Sequence, residues 1–132
     1  MTEMNDTPSG DPVLQVVAMP KDTNPNGDVF GGWLLSQMDI AGGVFCRKKV
    51  RGRVVTVAMD SITFKLPVFV GDILSCYAKL IRVGTTSISI HIEAWVTRMF
   101  ADERRIKVTE GDITYVKIGE DRRPAPIGDL NS

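Results

Sequence analysis

The chain is short of the residues that build disulfide frameworks and metal centres. Cys46 and Cys76 are its two cysteines, 30 positions apart, and His91 is its one histidine. That spacing fits neither a zinc ligand set nor a small disulfide scaffold, so no metal is expected, and the expected setting is a reducing cytoplasm. Net charge is missing too. Sixteen basic residues balance sixteen acidic ones, leaving no positive field to gather nucleic acid or anionic lipid. No stretch approaches the roughly 18 to 20 apolar residues of a membrane span, and Met1 to Asp11 is polar, without an apolar signal core. Neither nucleic acid nor membrane is therefore expected as a partner.

What is present is ordinary globular composition, 43% hydrophobic and 24% charged over 132 residues, enough for one domain. Residues 1–12 read as a flexible leader, 13–118 as a single folded domain, and 119–132 as a flexible, frayed tail. Leu14 to Met19 predicts a short strand. Pro20 to Asp28 is a loop of Pro, Asn, Asp and Gly, the residues that suit turns. A helix is predicted from about Trp33 to Lys49, with Leu34, Met38, Ala41 and Phe45 on one stripe. Beyond Gly52 the period becomes two. One strand ends before Pro67, a second runs from Gly71-Asp72 to Val83, and a third follows the turn at Gly84. In that third strand Ile88, Ile90, Ile92, Ala94 and Val96 face one way, and Ser89, His91, Glu93 and Trp95 the other. The last strand, about Arg104 to Ile118, changes the parity of its apolar residues, which predicts a bulge near Gly111. Strand, helix, then four strands on short turns imply an antiparallel α+β domain with the helix laid across the sheet.

The predicted helix is apolar on nearly every face from Trp33 to Cys46, and Asp39 is its only ionisable residue there. A buried carboxylate must find a partner or protonate. Asp39 is thus either a structural carboxylate bonded to a loop or a general base or nucleophile in a cleft, and the helix composition favours the second. Gly31-Gly32 at the helix start either allows a tight entry turn or lets a ligand approach free N–H groups at the positive end of the helix dipole. Such donors can hold the oxyanion of an attacked carbonyl. Gly31 and Asp39 are eight residues apart, roughly 12 Å along a helix, whereas both groups must lie within about 3 Å of one reacting centre or its water. One chain does not easily meet that demand, whereas two antiparallel helices across a two-fold axis do.

Other residues have bland readings beside sharper ones. A Cys–His nucleophile from Cys46, Cys76 and His91 is set aside, because His91 sits on a polar strand face and the thiols suit packing. Arg47, Lys48, Lys49, Arg51 and Arg53 suit a helix C-terminus or a phosphate-bearing ligand. Gly84, Thr85 and Thr86 form a hairpin turn that could also touch a ligand. Asn24 caps a turn or extends its amide toward the glycines.

The runs DTNPNGDVFGGWLLSQMD (Asp22 to Asp39), RVVTVAMDSITFKLPVFVGD (Arg53 to Asp72) and SCYAKLIRVGTTSISIHIEAWV together resemble the YciA-type acyl-CoA thioesterases of the hotdog superfamily, over about residues 13–118. The N-x-N-G-D-x-F-G-G-W-x-x-S-Q-M-D pattern is long and specific. The resemblance implies a hotdog fold, an antiparallel sheet wrapped around one long central helix. It also implies a dimer with active sites shared across its interface, assembled into a hexamer as a trimer of dimers. The implied reaction is hydrolysis of acyl-CoA to a free acid and CoA, with no metal and no cofactor beyond the CoA of the substrate. By the same resemblance Asp39 is the catalytic carboxylate, as base or nucleophile, and Gly31 with Gly32 is the donor to the thioester carbonyl. Asn24 is then the active-site amide, and Gly84, Thr85 and Thr86 are the turn along CoA, with Lys65 and Arg53 as candidate basic contacts. The short polar stretch Phe100 to Arg105 and the brief tail after Ile118 depart from relatives and bear on assembly or the nucleotide end. An enoyl-CoA hydratase would need a histidine near Asp39, and a DNA-binding acyl-CoA regulator would need a further helical domain. A non-catalytic acyl-CoA-binding oligomer is the alternative that turnover distinguishes.

Overall fold

The strand–helix–meander order of the sequence is the order found. The structure, a computed structural model, describes residues 10–98 and 104–131. Residues 1–9 of the expected leader and 100–103 of the Phe100–Arg105 stretch lie outside the described residues. β1 (Leu14–Val17) is followed by a single 3-10 turn at Pro20–Asp22 and then by α1 (Gly31–Lys49). β2 (Arg53–Phe64), β3 (Ile73–Val83), β4 (Ser87–Thr97) and β5 (Arg105–Ile118) complete the chain. The sheet is antiparallel, in the order β1-β3-β4-β5-β2. β1 and β2 are thus neighbours of the helix in sequence but lie at opposite edges of the sheet. The chain must cross the whole sheet between them, and α1 makes that crossing.

Alternation along β4 decides which face receives the helix. Ile88, Ile90, Ile92, Ala94 and Val96 are fully buried and form one core with Leu34, Met38, Ala41 and Cys46 of α1. Each large apolar side chain buried this way is worth about 1.5–3 kcal/mol, so the stripe on α1 and the odd–even pattern on β4 hold one another. Among the described residues no helix is long and apolar enough to cross a membrane.

Four expectations need correcting. The helix begins at Gly31 rather than Trp33, because the N-cap Phe30 (φ −59°, ψ 137°) already turns the chain into it. It is not buried on nearly every face either. Ile40 is half exposed, and so are Val57 and Phe64 on the edge strand β2, so one side of the helix and the adjoining edge stay open. The extra residue of β5 is Val108, not one near Gly111: Ala94 pairs with Thr109, but the next residue, Trp95, pairs with Lys107. Gly111 serves a different bulge. Opposite it β2 places two residues, Ser61 (φ 56°) and Ile62, between the pairs Asp60–Asp112 and Thr63–Glu110. A Cβ on Gly111 would strike the Ile62 side chain and come within 3.1 Å of its Cα, so only glycine lets β2 bulge there.

The fourth correction concerns residues 119–131, which are not frayed. Ala125 N–H donates to Lys117 O at 2.9 Å, Ile127 N–H to Thr85 O at 2.8 Å, and Asn131 N–H to Lys49 O at 2.9 Å. Ile127 is buried and Leu130 packs on the core. Polar composition hid these two apolar anchors, which strap residues 119–131 across the end of the helix and the β3–β4 turn.

Candidate active site

Asp39 lies two turns into α1, on the side facing β2 and β5, and it is partnered rather than solitary. The Thr56 hydroxyl on β2 donates to its Oδ1 at 2.7 Å. From β5 the Tyr115 hydroxyl donates to the Asp39 main-chain oxygen at 2.7 Å and lies 3.0 Å from Oδ1. Thr56 and Tyr115 are themselves a cross-strand pair, so sheet register delivers both to one turn of the helix. Burial, together with the negative charge of Asp39, pushes the Tyr115 hydroxyl far above its ordinary range, which keeps it a proton donor. The sequence reading missed both partners. The one signal for them is Gly42, one turn beyond Asp39: a Cβ there would collide with the Tyr115 hydroxyl and lie 2.8 Å from its Cζ and 2.9 Å from Ile90 Cδ1.

The start of the helix forms a separate feature. The Asn24 side-chain oxygen accepts from the N–H groups of Asn26 (2.9 Å) and Asp28 (3.2 Å), the closed turn that Asn favours, with Gly27 at φ 89° completing it. Val29 N–H donates to Val68 O and Phe30 N–H to Asp22 O, both at 2.9 Å, which pins the loop just ahead of Gly31. Asn24, Asp28, Gly31, Leu34, Phe64 and Lys65 line a cavity of about 340 Å³. It opens beside the helix N-terminus, where first-turn N–H groups have no partner within the helix and the dipole favours negative charge. The Lys65 ammonium is 3.0 Å from Glu110 Oε2.

The structure therefore brings Asn24, Gly31 and Lys65 together and leaves the other expected residues elsewhere. Asp39 does not line this cavity. Gly32 is exposed, with nothing within 4 Å of an added Cβ. Gly84, Thr85 and Thr86 make the β3–β4 turn, where Gly84 N–H donates to Ser87 O and Thr86 O accepts from Lys117 N–H. Arg53 pairs with Ile118 at that same end of the sheet, near the C-terminal end of α1 and remote from Gly31. Within one chain the expected CoA contacts are thus split between the two ends of the helix.

His91 and the cysteines occupy different layers. Burial pushes both thiols up to about 12, so neither offers a thiolate near neutrality. His91 projects from the outer face of β4, with Nδ1 2.7 Å from Asp112 Oδ1 and Nε2 3.0 Å from Glu110 Oε1. His91, Glu93 and Glu110 have the spacing of a metal site, but Lys65 and Lys107 already ion-pair with these carboxylates. Burial works against a charged His91, yet the hydrogen bonds and charges of Asp112 and Glu110 outweigh it and raise the pKa above 6.5. The stability contribution of this group is complete below the unfolded value and is lost as pH rises through the higher folded one. The wild-type melting temperature is accordingly expected to fall relative to His91→Gln as pH climbs above about 6.5. Parallel curves in a melting series from pH 5 to 9 would show that His91 carries no such linkage.

The sequence model of the thioesterase superfamily matches residues 26–98, from within the Asn24 loop through β4. The chain belongs to that superfamily, as a YciA-type member. The acyl-CoA thioester hydrolase YciA of Salmonella typhimurium is 50% identical over 129 residues, 96% of this chain and 97% of the relative. Among solved structures, a hexameric hotdog fold thioesterase of Campylobacter jejuni is 48% identical with a TM-score of 0.85, covering 90% of this chain and 91% of that one. The hexameric thioesterase of Yersinia pestis is 46% identical with a TM-score of 0.84, covering 96% of this chain and all of that one. The helix across the antiparallel sheet of this YciA-type chain is the hotdog arrangement, as the resemblance implied.

Proposed function

We propose that this chain hydrolyses acyl-CoA thioesters, with Asp39 as base or nucleophile and the Gly31 N–H of another subunit holding the thioester carbonyl. The observation that carries the reading is the division of one helix. A cavity with an amide, a cation and helix-end donors lies at its start, while a held carboxylate lies two turns on. Each is half of a hydrolytic site, and two chains related by a two-fold axis supply both halves. Exposed Ile40, Val57, Met59, Phe64 and Leu66 lie on α1 and on or just beyond the edge strand β2, the apolar surface such a pairing would cover. The hexameric relatives support further assembly as three dimers. The names of the Salmonella typhimurium relative and its like support acyl-CoA as the substrate.

The chemistry follows from these positions. With Asp39 as base, the carboxylate takes a proton from water as the water oxygen adds to the thioester carbon. Negative charge then develops on the carbonyl oxygen facing Gly31 N–H, and collapse of the tetrahedral intermediate expels CoA thiolate, which takes the proton from Asp39. With Asp39 as nucleophile, the carboxylate displaces CoA thiolate to form a mixed anhydride, and water cleaves that to the free acid and the Asp39 carboxylate. Both routes end in a free acid and CoA, and neither requires a metal. Asn24 orients the carbonyl from the cavity, and Lys65 provides a cation at its rim. Arg53 and the Gly84–Thr86 turn, at the far end of the helix, reach the nucleotide portion across subunits.

A panel of thioesters from acetyl- to palmitoyl-CoA, with a thiol reagent reporting released CoA, tests the proposal. Turnover on at least part of the panel is the expected result. Binding of CoA without hydrolysis of any chain length would replace it with a non-catalytic acyl-CoA-binding oligomer.

A further inference from the structure

We propose that Tyr115 is a positioning residue for Asp39: its hydroxyl, admitted beneath the helix by Gly42, joins Thr56 in engaging Oδ1 and so leaves Oδ2 as the oxygen that acts. This rests on the reading of Asp39 as the reacting carboxylate. Tyr115 is 2% exposed, and a buried phenol must find a hydrogen-bond partner. The main-chain oxygen of Asp39, at 2.7 Å, would satisfy it alone. Instead the hydroxyl also lies 3.0 Å from Oδ1, the oxygen that Thr56 contacts at 2.7 Å. Two hydroxyls from neighbouring strands therefore converge on one carboxylate oxygen. A free aspartate rotates about its terminal bond, and this one is held by the sheet.

Gly42 makes the approach available. Any side chain there would occupy the space of the Tyr115 hydroxyl and Cζ and press on Ile90 Cδ1. Glycine inside a helix costs roughly 1 kcal/mol relative to alanine, and here the helix accepts that cost where the phenol passes. Adjacent Gly43 has nothing within 4 Å of an added Cβ, so the close approach is particular to Gly42.

The experiment measures kcat, KM and melting temperature for wild type, Tyr115→Phe and Asp39→Ala. Tyr115→Phe is expected to lower kcat about tenfold, the scale for a hydrogen bond to a charged group, with little change in KM. An unchanged kcat overturns the proposal, and so does a loss shared between kcat and KM that tracks the melting temperature, the mark of a merely structural core residue. If Tyr115→Phe does not assemble, incorporation of 3-fluorotyrosine keeps the ring, strengthens the donor and is expected to change kcat while KM stays. An unchanged kcat there overturns the proposal equally. Wild-type turnover by Asp39→Ala would instead remove the reading of Asp39, and the role of Tyr115 with it.

Discussion

Replacing Asp39 by alanine is expected to lower turnover by about 100- to 10,000-fold, the range that a positioned base contributes, while assembly and CoA binding persist. Loss of function and loss of fold separate here for structural reasons. The Tyr115 hydroxyl retains the main-chain oxygen at 2.7 Å as acceptor, and that oxygen survives the substitution. Thr56 is exposed, so water replaces the lost carboxylate at little cost. Alanine is also a better helix former than aspartate by a few tenths of a kcal/mol. The melting temperature should therefore stay within a few degrees of wild type as kcat collapses. Asp39→Asn sharpens the test, since it keeps the shape and an acceptor for Thr56 but not the basicity. Steady-state hydrolysis with a thiol reagent, run beside a thermal melt, checks both variants, and near-wild-type turnover by either would remove Asp39 from the chemistry.

The second large effect is expected from Gly31→Pro. An ordinary substitution changes a side chain and leaves the amide, whereas proline deletes the N–H itself. Gly31 is the first residue of α1, the position at which proline is most readily accepted because that N–H has no partner within the helix. Phe30 before it, at φ −59° and ψ 137°, already has the extended conformation that a residue preceding proline must adopt. An added Cβ would meet only the Phe64 ring, at 3.5 Å, an ordinary contact. The helix should thus form normally and the cavity keep its walls. If Gly31 N–H holds the thioester oxyanion, kcat should fall roughly 100- to 1000-fold, the scale for one such donor. Gly31→Ala, which retains the amide, should stay within a few-fold of wild type. Equal activity of the two variants would show that the amide plays no part. Equal loss in both would point to the side-chain space beside Phe64 instead.

If Asp39 and Gly31 form opposite halves of one shared site, mixing the two variants offers a direct reading of subunit sharing. Separately inactive Asp39→Ala and Gly31→Pro chains, co-assembled, should regain part of the wild-type rate. In a mixed dimer one of the two interfacial sites draws its glycine and its aspartate from intact positions. No recovery in verified mixed oligomers would mean that each chain builds its own site.

Much of this was readable along the chain. The solitary acid in an apolar helix, the paired glycines at its start and the Asn-rich loop are local facts of composition and spacing, and so is the alternation from Ile88 to Val96. The eight-residue interval between Gly31 and Asp39 implied that one chain would not easily bring the two to one reacting centre, and Asp39 is not among the residues that line the cavity at Gly31. What escaped the sequence reading depends on partners chosen at long range. Tyr115 reaches Asp39 across 76 positions, through a register between β2 and β5 that no periodicity reports. The bulges had the same origin. Change of parity in β5 pointed to Gly111, but the extra residue is Val108, and Gly111 answers a bulge in a different strand. The terminal segment read as a frayed tail because its composition is polar, while two apolar residues, Ile127 and Leu130, suffice to dock it.

Sequence by itself determined the element types, the face that β4 turns inward and the solitary acid of the helix, because hydrophobic period and turn chemistry act over a few residues. Tertiary structure alone decided that β1 and β2 stand at opposite edges, that Thr56 and Tyr115 converge on one carboxylate oxygen, and that residues 119–131 close over the helix end. Each of these is a choice among pairings of distant segments. Such choices are settled by which arrangement buries the most apolar surface with every backbone group satisfied, a property of the assembled fold rather than of any window along the chain.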